Sequence, residues 1–287
     1  MESFVNLRSF TPAADEIVRH SRVDAPDVSV VIAVRDGERF LEKAIRSILS
    51  QSLRNLELIL VDDGSSDRTP EIIDRFGDPR MRTLTQPERG IANALNRGFS
   101  IARAPFVGLL DPSDVAVQNR LERQLDFMRQ NPGVGLLGTG ATLIDEPGQE
   151  ISRWTPVTGD KDLHSALIRE NQFDHSSVMV RKSIFSAVGG YSNMPFAYDY
   201  DLYLRLSRKC KLANLPEPLN LRRVIRGGDA KLADQQYQWV TRAKIGAVKR
   251  GDYSPLAARH IIKPAIALFT PGPVRDLARR ASGHKAA

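Results

Sequence analysis

The sequence predicts an α/β fold: a single doubly wound mixed sheet followed by a helical, basic tail. Two segments, 28–34 (VSVVIAV) and 56–61 (LELILV), are rich in Val, Ile and Leu. Apolar runs of this length read as parallel strands buried on both faces. Between them, residues 38–53 carry Phe40, Leu41, Ile45, Ile48 and Leu49 at helical spacing, with charges in between, so a helix joins the strands. Each strand ends in polar residues, the second in Asp62, Asp63, Gly64 and two serines. Open α/β sheets bind ligands beyond the carboxyl ends of such strands, so a polar ligand held there is expected.

The remaining elements follow in order. Thr69-Pro70 opens a second helix with proline at its first position, where a missing N–H is tolerated. Residues 81–84 form a short strand and 91–103 a helix. Residues 105–110 (PFVGLL) form a third buried strand, which again ends in acid at Asp111-Pro112-Ser113-Asp114. Residues 119–130 are amphipathic and helical, and 134–144 form a glycine-containing strand. The second half is less regular. Residues 175–181 (HSSVMVR) alternate like a strand, and 219–224 form another. Residues 200–209 form a helix with Leu202, Leu204 and Leu206 partly buried, and 232–250 form the last helix. A short apolar piece, IIKPAIALF, precedes the end.

The 287 residues suffice for one large α/β domain or two small ones, and 41% hydrophobic with 26% charged residues is a globular composition. The single cysteine, Cys210, excludes a disulfide framework and a cysteine-only metal site and fits a reducing compartment. The first twenty residues lack the apolar core of a signal peptide, and no run approaches the roughly 18 apolar residues of a membrane span. A cytoplasmic protein is expected. The net charge of +7 is uneven: residues 239–287 carry ten Lys/Arg and two Asp/Glu, whereas the rest is near neutral. This tail is either a solvated helical face or a surface for an anionic membrane. No motif of a nucleic-acid-binding module is visible, so nucleic acid is not expected as a partner.

The pieces VSVVIAVRDGERFLEKAIRSILSQS, LELILVDDGSSDRTPEII, ERGIANALNRGFSIARAPFVGLLDPSDV, HSSVMVRK and AYDYDLYLRL stand in an order and spacing that resemble an inverting family-2 glycosyltransferase. The likeness runs from about residue 27 to 225. It implies the Rossmann-like, A-type glycosyltransferase fold over 27–228, with a nucleotide-binding half (27–115) and an acceptor half (116–228). A polar leader (1–26) and a helical basic extension (229–287) flank it. Such enzymes move a sugar from a nucleotide diphosphate donor to a hydroxyl acceptor with inversion at the anomeric carbon. A divalent cation usually bridges an acidic motif and the diphosphate, and a carboxylate deprotonates the acceptor.

The resemblance assigns roles residue by residue. Asp63 accepts the ring N–H of a uracil or thymine base and Asp62 helps or caps the turn; alternatively both simply satisfy turn backbone N–H groups. The family's Pro-x-Tyr-Asn is Ala33-Val34-Arg35-Asp36 here. Ala33 and Arg35 hold the nucleotide-contacting positions. Arg35 either replaces the lost tyrosine, lying on the base or reaching a phosphate, or is a solvated charge. Arg89, before the helix start at Gly90, suits an anionic donor; otherwise it is a surface charge. Asp111 to Asp114 occupy the place of Asp-Ala-Asp-Asp. Hard Mn²⁺ or Mg²⁺ prefers carboxylate and phosphate oxygens, so Asp111, which is also a candidate contact to the sugar or ribose, and Asp114, otherwise a helix or turn cap, are the candidate ligands. Ser113 replaces the usual acidic ligand, which puts metal dependence in question.

Arg223, in LRRVIRGG, matches the arginine of the family's Tyr-Arg-x-His, with Ile225 where the histidine stands. Arg222 and Arg226 are extra cations that either share diphosphate binding or face solvent. Asp199 is the candidate general base, since a hydroxyl nucleophile needs a proton acceptor within hydrogen-bond reach. Its rival Asp201 is better read as a helix cap or an i,i+4 partner of Arg205. His175 aligns with a position near the acceptor pocket or is structural, and Trp154 is a candidate sugar platform. The leading function is therefore transfer from a UDP- or dTDP-sugar to a saccharide or lipid-linked acceptor in polysaccharide or glycan biosynthesis. The alternative is a non-catalytic nucleotide-sugar-binding or scaffold protein of the same fold, for which Ser113 and Ile225 argue. The basic segment 239–287 would place the enzyme peripherally on the inner membrane surface. Sugar, acceptor and oligomeric state are not fixed by the sequence.

Overall fold

The computed structural model describes residues 17–19, 25–225, 230–253 and 260. Three parallel strand–helix units come first: β2 (Val28–Val34), α1 (Leu41–Leu49), β3 (Leu56–Asp62), α2 (Thr69–Arg75), β4 (Met81–Thr85), α3 (Ile91–Ile101) and β5 (Phe106–Leu109). All seven residues of β2 and of β3 are buried. Along β2, Val31 and Ala33 pack on one side with α3, whereas Val30, Ile32 and Val34 pack on the other with α1. These apolar runs, interrupted by Ser29 and Glu57, which bond each other at 2.7 Å, are thus the signature of a central sheet layer covered on both faces.

The chain adds β3 and β4 on one side of β2 and then returns through α3 to place β5 on the other side. The crevice beyond the carboxyl ends of β2, β3 and β5 is therefore a topological switch point. A second set of elements extends the sheet past β5: β6 (Val115–Ala116), α4 (Arg120–Gln130), β7 (Val134–Ile144), β8 (Glu150–Trp154), α5 (Asp160–Leu167), β9 (Met179–Arg181), α6 (Lys182–Ala187), α7 (Tyr198–Leu206), β10 (Lys211–Arg223) and α8 (Ala230–Lys249). With β1 (Ile17–Arg19), the sheet has ten strands in the order β1-β4-β3-β2-β5-β9-β7-β10-β6, and β8 pairs with β7 outside this path. β9 is antiparallel to both β5 and β7, whereas β7 and β10 run parallel. The mixed sheet of the sequence reading is present.

Several boundaries differ from the sequence reading. Part of the leader, Ile17–Arg19, is an edge strand antiparallel to β4. Residues 175–177 are a 3₁₀ turn, not strand, because the amide and hydroxyl of Ser177 both bond the Asp174 carbonyl, at 2.9 and 3.0 Å. The strand expected at 219–224 begins at Lys211. Its register slips around Pro216 and Pro218, which have no N–H for the ladder. α7 begins two residues earlier than expected, so Asp199 lies in its first turn. The apolar piece 261–269, most of the basic tail and Arg226 lie outside the described residues.

α8 is an integral part of the fold. Ala243 and Ala247 are buried in the same core cluster as α7, and Trp239, Val240 and Val248 pack against it. Lys244 Nζ donates to the Arg169 carbonyl at 2.6 Å. Among the described residues, no helix is long and apolar enough to cross a membrane.

Candidate active site

Three strand ends build one wall of the site. Beyond β2, Asp36 has a positive φ of 52°, which turns the chain toward the loop after β3. There the Asp36 amide donates to Ser65 Oγ at 3.0 Å, and Asp36 Oδ1 accepts the Ser66 amide at 2.8 Å. That amide bond is the main reason the Asp36 carboxyl lies below the usual range. Gly37 and Glu38 extend the zipper by donating to Thr69 Oγ1 and Asp67 Oδ2. Arg35 is half-exposed at this rim and pairs with Glu88. Ala33 is buried within β2.

Asp62 and Asp63 divide the work of the next turn. Asp62 Oδ1 accepts the amide and hydroxyl of Ser65, at 3.0 and 2.6 Å. Asp63 is 3% exposed and fastens the following loop: Oδ1 accepts Gln86 Nε2 and the Arg89 amide, and Oδ2 accepts the Gly90 amide. Each carboxylate oxygen offers about two lone pairs, and Oδ2 has one taken by the Gly90 amide. The Arg89 side chain is exposed beside this loop. Gly64 makes the close approach possible: at φ 77° a Cβ there would lie 2.9 Å from the Glu88 amide nitrogen.

The end of β5 carries the second acidic group. The Asp111 amide donates to Ser176 Oγ at 2.8 Å, tying this strand end to the 3₁₀ turn. Asp111 Oδ1 accepts both the amide and hydroxyl of Ser113, at 2.9 and 2.8 Å. Asp114 points inward. Its Oδ1 accepts the Arg223 amide at 2.7 Å, and its Oδ2 accepts Asn220 Nδ2 at 3.3 Å. Burial, reinforced by the charge of Asp111, pushes its carboxyl up to about 7. Asn220 Nδ2 also reaches Asp174 Oδ2, at 2.9 Å, and burial raises that carboxyl too. The fully buried Arg120 joins the cluster by donating to the carbonyls of Leu109 and Ser176, both at 2.8 Å. Burial lowers its guanidinium to about 10.

Asp199 faces this group from α7. The helix is preceded by Ala197 in the left-handed region, φ 57°, a strained conformation for a residue with a Cβ. Asn171 Nδ2 donates to Asp199 Oδ2 at 3.1 Å and fixes the carboxylate. Asp201 turns away and pairs with Arg205 at 2.9 Å, the i,i+4 partner its spacing predicts. His175 Nδ1 lies 2.9 Å from Tyr203 Oη, and its ring meets Tyr191 and Tyr198 edge-on.

Asp111, Asp114, His175 and Asp199 all line one cavity of about 690 Å³. Arg222, Arg223 and Trp154 line it too. Arg222 is exposed, but the Arg223 guanidinium is engaged: Nε bonds the Ser113 carbonyl, and Nη1 bonds those of Asp145 and Glu146. It also stacks 4.6 Å over the Phe40 ring. In this structure Arg223 braces the acidic loop. Ala33, Arg35, Asp63 and Arg89 are not among the residues lining the cavity; Ala33 is buried within β2, Arg35 and Asp63 follow the ends of β2 and β3, and Arg89 precedes α3. Asn171, Asp174 and Asn220 escaped the sequence reading. The Asp in Phe173-Asp174-His175 was the visible signal for one of them, whereas the two asparagines act through distant contacts.

Among the described residues, no group of three or more His, Cys, Asp or Glu side chains is placed to hold a metal ion. A hard divalent ion sharing its shell with a substrate diphosphate needs only one or two carboxylates. The carboxylates that could serve are Asp111, exposed to the cavity, and Asp114, which is buried and accepts a hydrogen bond on each oxygen. Their mutual repulsion is what a cation relieves. Ser113 Oγ is turned onto Asp111 and contributes no charge.

The family model for glycosyl transferase family 2 matches residues 29–189. The amylovoran biosynthesis glycosyltransferase AmsE of Erwinia amylovora is 30% identical over 197 residues, 67% of this chain and 74% of that protein. Overall the chain spans about two thirds of the length of the curated relatives it matches. Among solved structures, S. aureus TarS 1–349 with UDP-GlcNAc superposes with a TM-score of 0.66 at 14% identity, over 83% of this chain and 71% of that one. The mannosyltransferase PcManGT of Pyrobaculum calidifontis with GDP-Man and Mn²⁺ gives 0.64 at 18% identity, over 94% and 79%. These likenesses show the A-type fold. With the family match covering more than half of its length, the chain belongs to glycosyl transferase family 2.

Proposed function

We propose that this chain transfers a glycosyl group, with inversion, from a UDP- or dTDP-sugar to a hydroxyl acceptor during polysaccharide or glycan assembly. The observation that carries the reading is the placement of Asp199, held by Asn171, in the same cavity as the Asp111–Asp114 loop. A single displacement needs a base on one side of the anomeric carbon and leaving-group stabilisation on the other. Asp199 takes the acceptor proton as the hydroxyl oxygen attacks C1. The C1–O bond to the diphosphate breaks, and the nucleotide leaves with the electron pair. Asp111 and Asp114 would hold a Mg²⁺ or Mn²⁺ ion, which when bound supplies positive charge to the departing diphosphate. Arg222, exposed at the cavity, adds a cation on that side. Asp63, Ala33, Arg35 and Arg89 are assigned to the nucleotide edge. The reading gains support from the UDP-GlcNAc held by TarS, the GDP-Man and Mn²⁺ held by PcManGT, and the polysaccharide role in the name of AmsE.

Asp199→Asn keeps the shape and removes the base. It should lower kcat by about 10²- to 10⁴-fold while leaving nucleotide-sugar affinity within about twofold. Transfer kinetics and calorimetric titration with the donor check this. A variant that retains most of its kcat would contradict the assignment.

The basic segment 239–287 is proposed to hold the enzyme against the anionic cytoplasmic face of a membrane, near a lipid-linked acceptor. Flotation with anionic vesicles should carry the full chain at low salt and release it at high salt, because the attraction is screened. An unbound chain at low salt would sink this part of the reading.

A further inference from the structure

β8 is exposed along its length: Glu150, Ile151, Ser152 and Arg153 all face solvent, and Ile151 keeps 51% of its surface. Trp154, its last residue, is the exception. It is half-buried and lines the cavity that holds Asp199. The register explains why. Trp154 is paired with Ala141 of β7, and Ala141 with Asn220 of β10. Residues paired across a sheet project from the same face. Asn220 is the residue whose amide holds Asp114 and Asp174 in the cavity floor. The indole therefore stands on the face that carries the acidic floor, at the end of a strand with no other buried side chain.

The rest of the lining narrows what this ring meets. Phe173, Phe196 and Tyr198 add aromatic surface, while Asn171 and Gln236 offer amides. Five carboxyl groups line the cavity, the exposed Asp111 and Glu170 and the half-buried Asp199 together with Asp114 and Asp174, which burial shifts toward the neutral form, against the two guanidiniums of Arg222 and Arg223. The Arg223 guanidinium is committed to backbone carbonyls. A cavity of this sign repels an anionic ligand from any part a metal does not neutralise. Glu170 lies outside the acidic loop, so its charge falls on whatever approaches Asp199. A flat apolar ring beside hydrogen-bonding carboxylates and amides matches a pyranose, with its C–H face on the indole and its hydroxyls on the polar groups.

We propose that Trp154 is a specificity-determining residue that stacks on the acceptor, and that the acceptor presents a neutral pyranose rather than a phosphate- or carboxylate-bearing unit. This rests on the glycosyl-transfer reading of the same site. The chain has two tryptophans, so in a Trp239→Phe background Trp154 alone reports by fluorescence. The probes are gluco-, galacto- and manno-configured trisaccharides and, as the anionic counterpart, an oligogalacturonide of equal length, each added to the full chain with saturating UDP and Mn²⁺.

At least one neutral trisaccharide should change the Trp154 emission saturably, and the oligogalacturonide should bind about tenfold more weakly or not at all. With that trisaccharide as acceptor, Trp154→Ala should raise KM about tenfold and Trp154→Phe much less. The kcat at saturating trisaccharide should fall far less than KM rises, the split expected of a residue that binds the acceptor. Equal or tighter binding of the anionic probe, no saturable response to any neutral trisaccharide, or an unchanged KM in Trp154→Ala would each overturn the proposal. Saccharide binding without nucleotide binding or transfer would instead leave Trp154 as a carbohydrate contact and remove the transferase reading.

Discussion

At the residue scale, the site is a set of carboxylates given different tasks by their surroundings. Asp63 accepts three N–H groups and fastens the loop at residues 86–90, whereas Asp111 is open to the cavity and Asp199 is oriented by the Asn171 amide. That fastening depends on Gly64, whose positive φ brings the Asp63 turn against the loop at residues 86–88. Gly64→Ala should destabilise the fold by about 1–3 kcal/mol, read as a lowered urea midpoint with an unchanged slope, and should weaken nucleotide binding in parallel. Wild-type stability in this variant would show that the loop accommodates a Cβ without strain. The acidic motif and Asp199 were legible in the sequence because their family pattern is local. Asn171, Asp174 and Asn220 were not. Asn171 meets its partner 28 positions away, and Asn220 meets Asp114 at a separation of 106 and Asp174 at 46, so no local pattern announces them.

At the element scale, legibility follows burial. β2 and β3 are covered on both faces and are apolar apart from Ser29, Glu57 and the terminal Asp62, so their sequence alone marks them. β8 is exposed on both faces and carries no alternation, and α5 buries only Leu163 and Leu167, so neither has a period to read. The 3₁₀ turn at His175 was mistaken for strand because its serines bond the backbone locally, which periodicity does not register. α8 was visible as a helix, but its packing on α7 was not. Ala247 is fully buried in that contact. Ala247→Asp would place an unpaired carboxylate there and should cost about 3 kcal/mol or more. Lys249→Gln, on the exposed end of the same helix, should stay within about 0.5 kcal/mol. Thermal denaturation of the two variants checks the contrast, and equal stability would mean that α8 does not contribute to the core.

At the scale of the whole molecule, the parallel half and the mixed half of one sheet divide the chemistry. The first ends in the edge beyond β2 and β3, and the second contributes the turn at His175 and the end of β10. α7 sets Asp199 opposite them. The acidic loop after β5 stands where the two halves meet, which is why its neighbours come from as far away as Arg223. The proposed function has a nucleotide diphosphate sugar bind across the junction, together with a cation on Asp111 and Asp114. The most direct measurement is the thermal stability of the full chain against uridine, thymidine and guanosine diphosphate sugars, each with Mn²⁺, Mg²⁺ or chelator. A ligand that binds only the folded state stabilises it by RT ln(1 + [L]/Kd), about 2.7 kcal/mol at a concentration 100 times Kd. The expected result is a rise in Tm with a uridine or thymidine donor that depends on the divalent ion and is lost on chelation. A chain whose Tm moves with none of these sugars, with or without metal, would contradict the account and leave a fold of this family that has ceased to bind a donor.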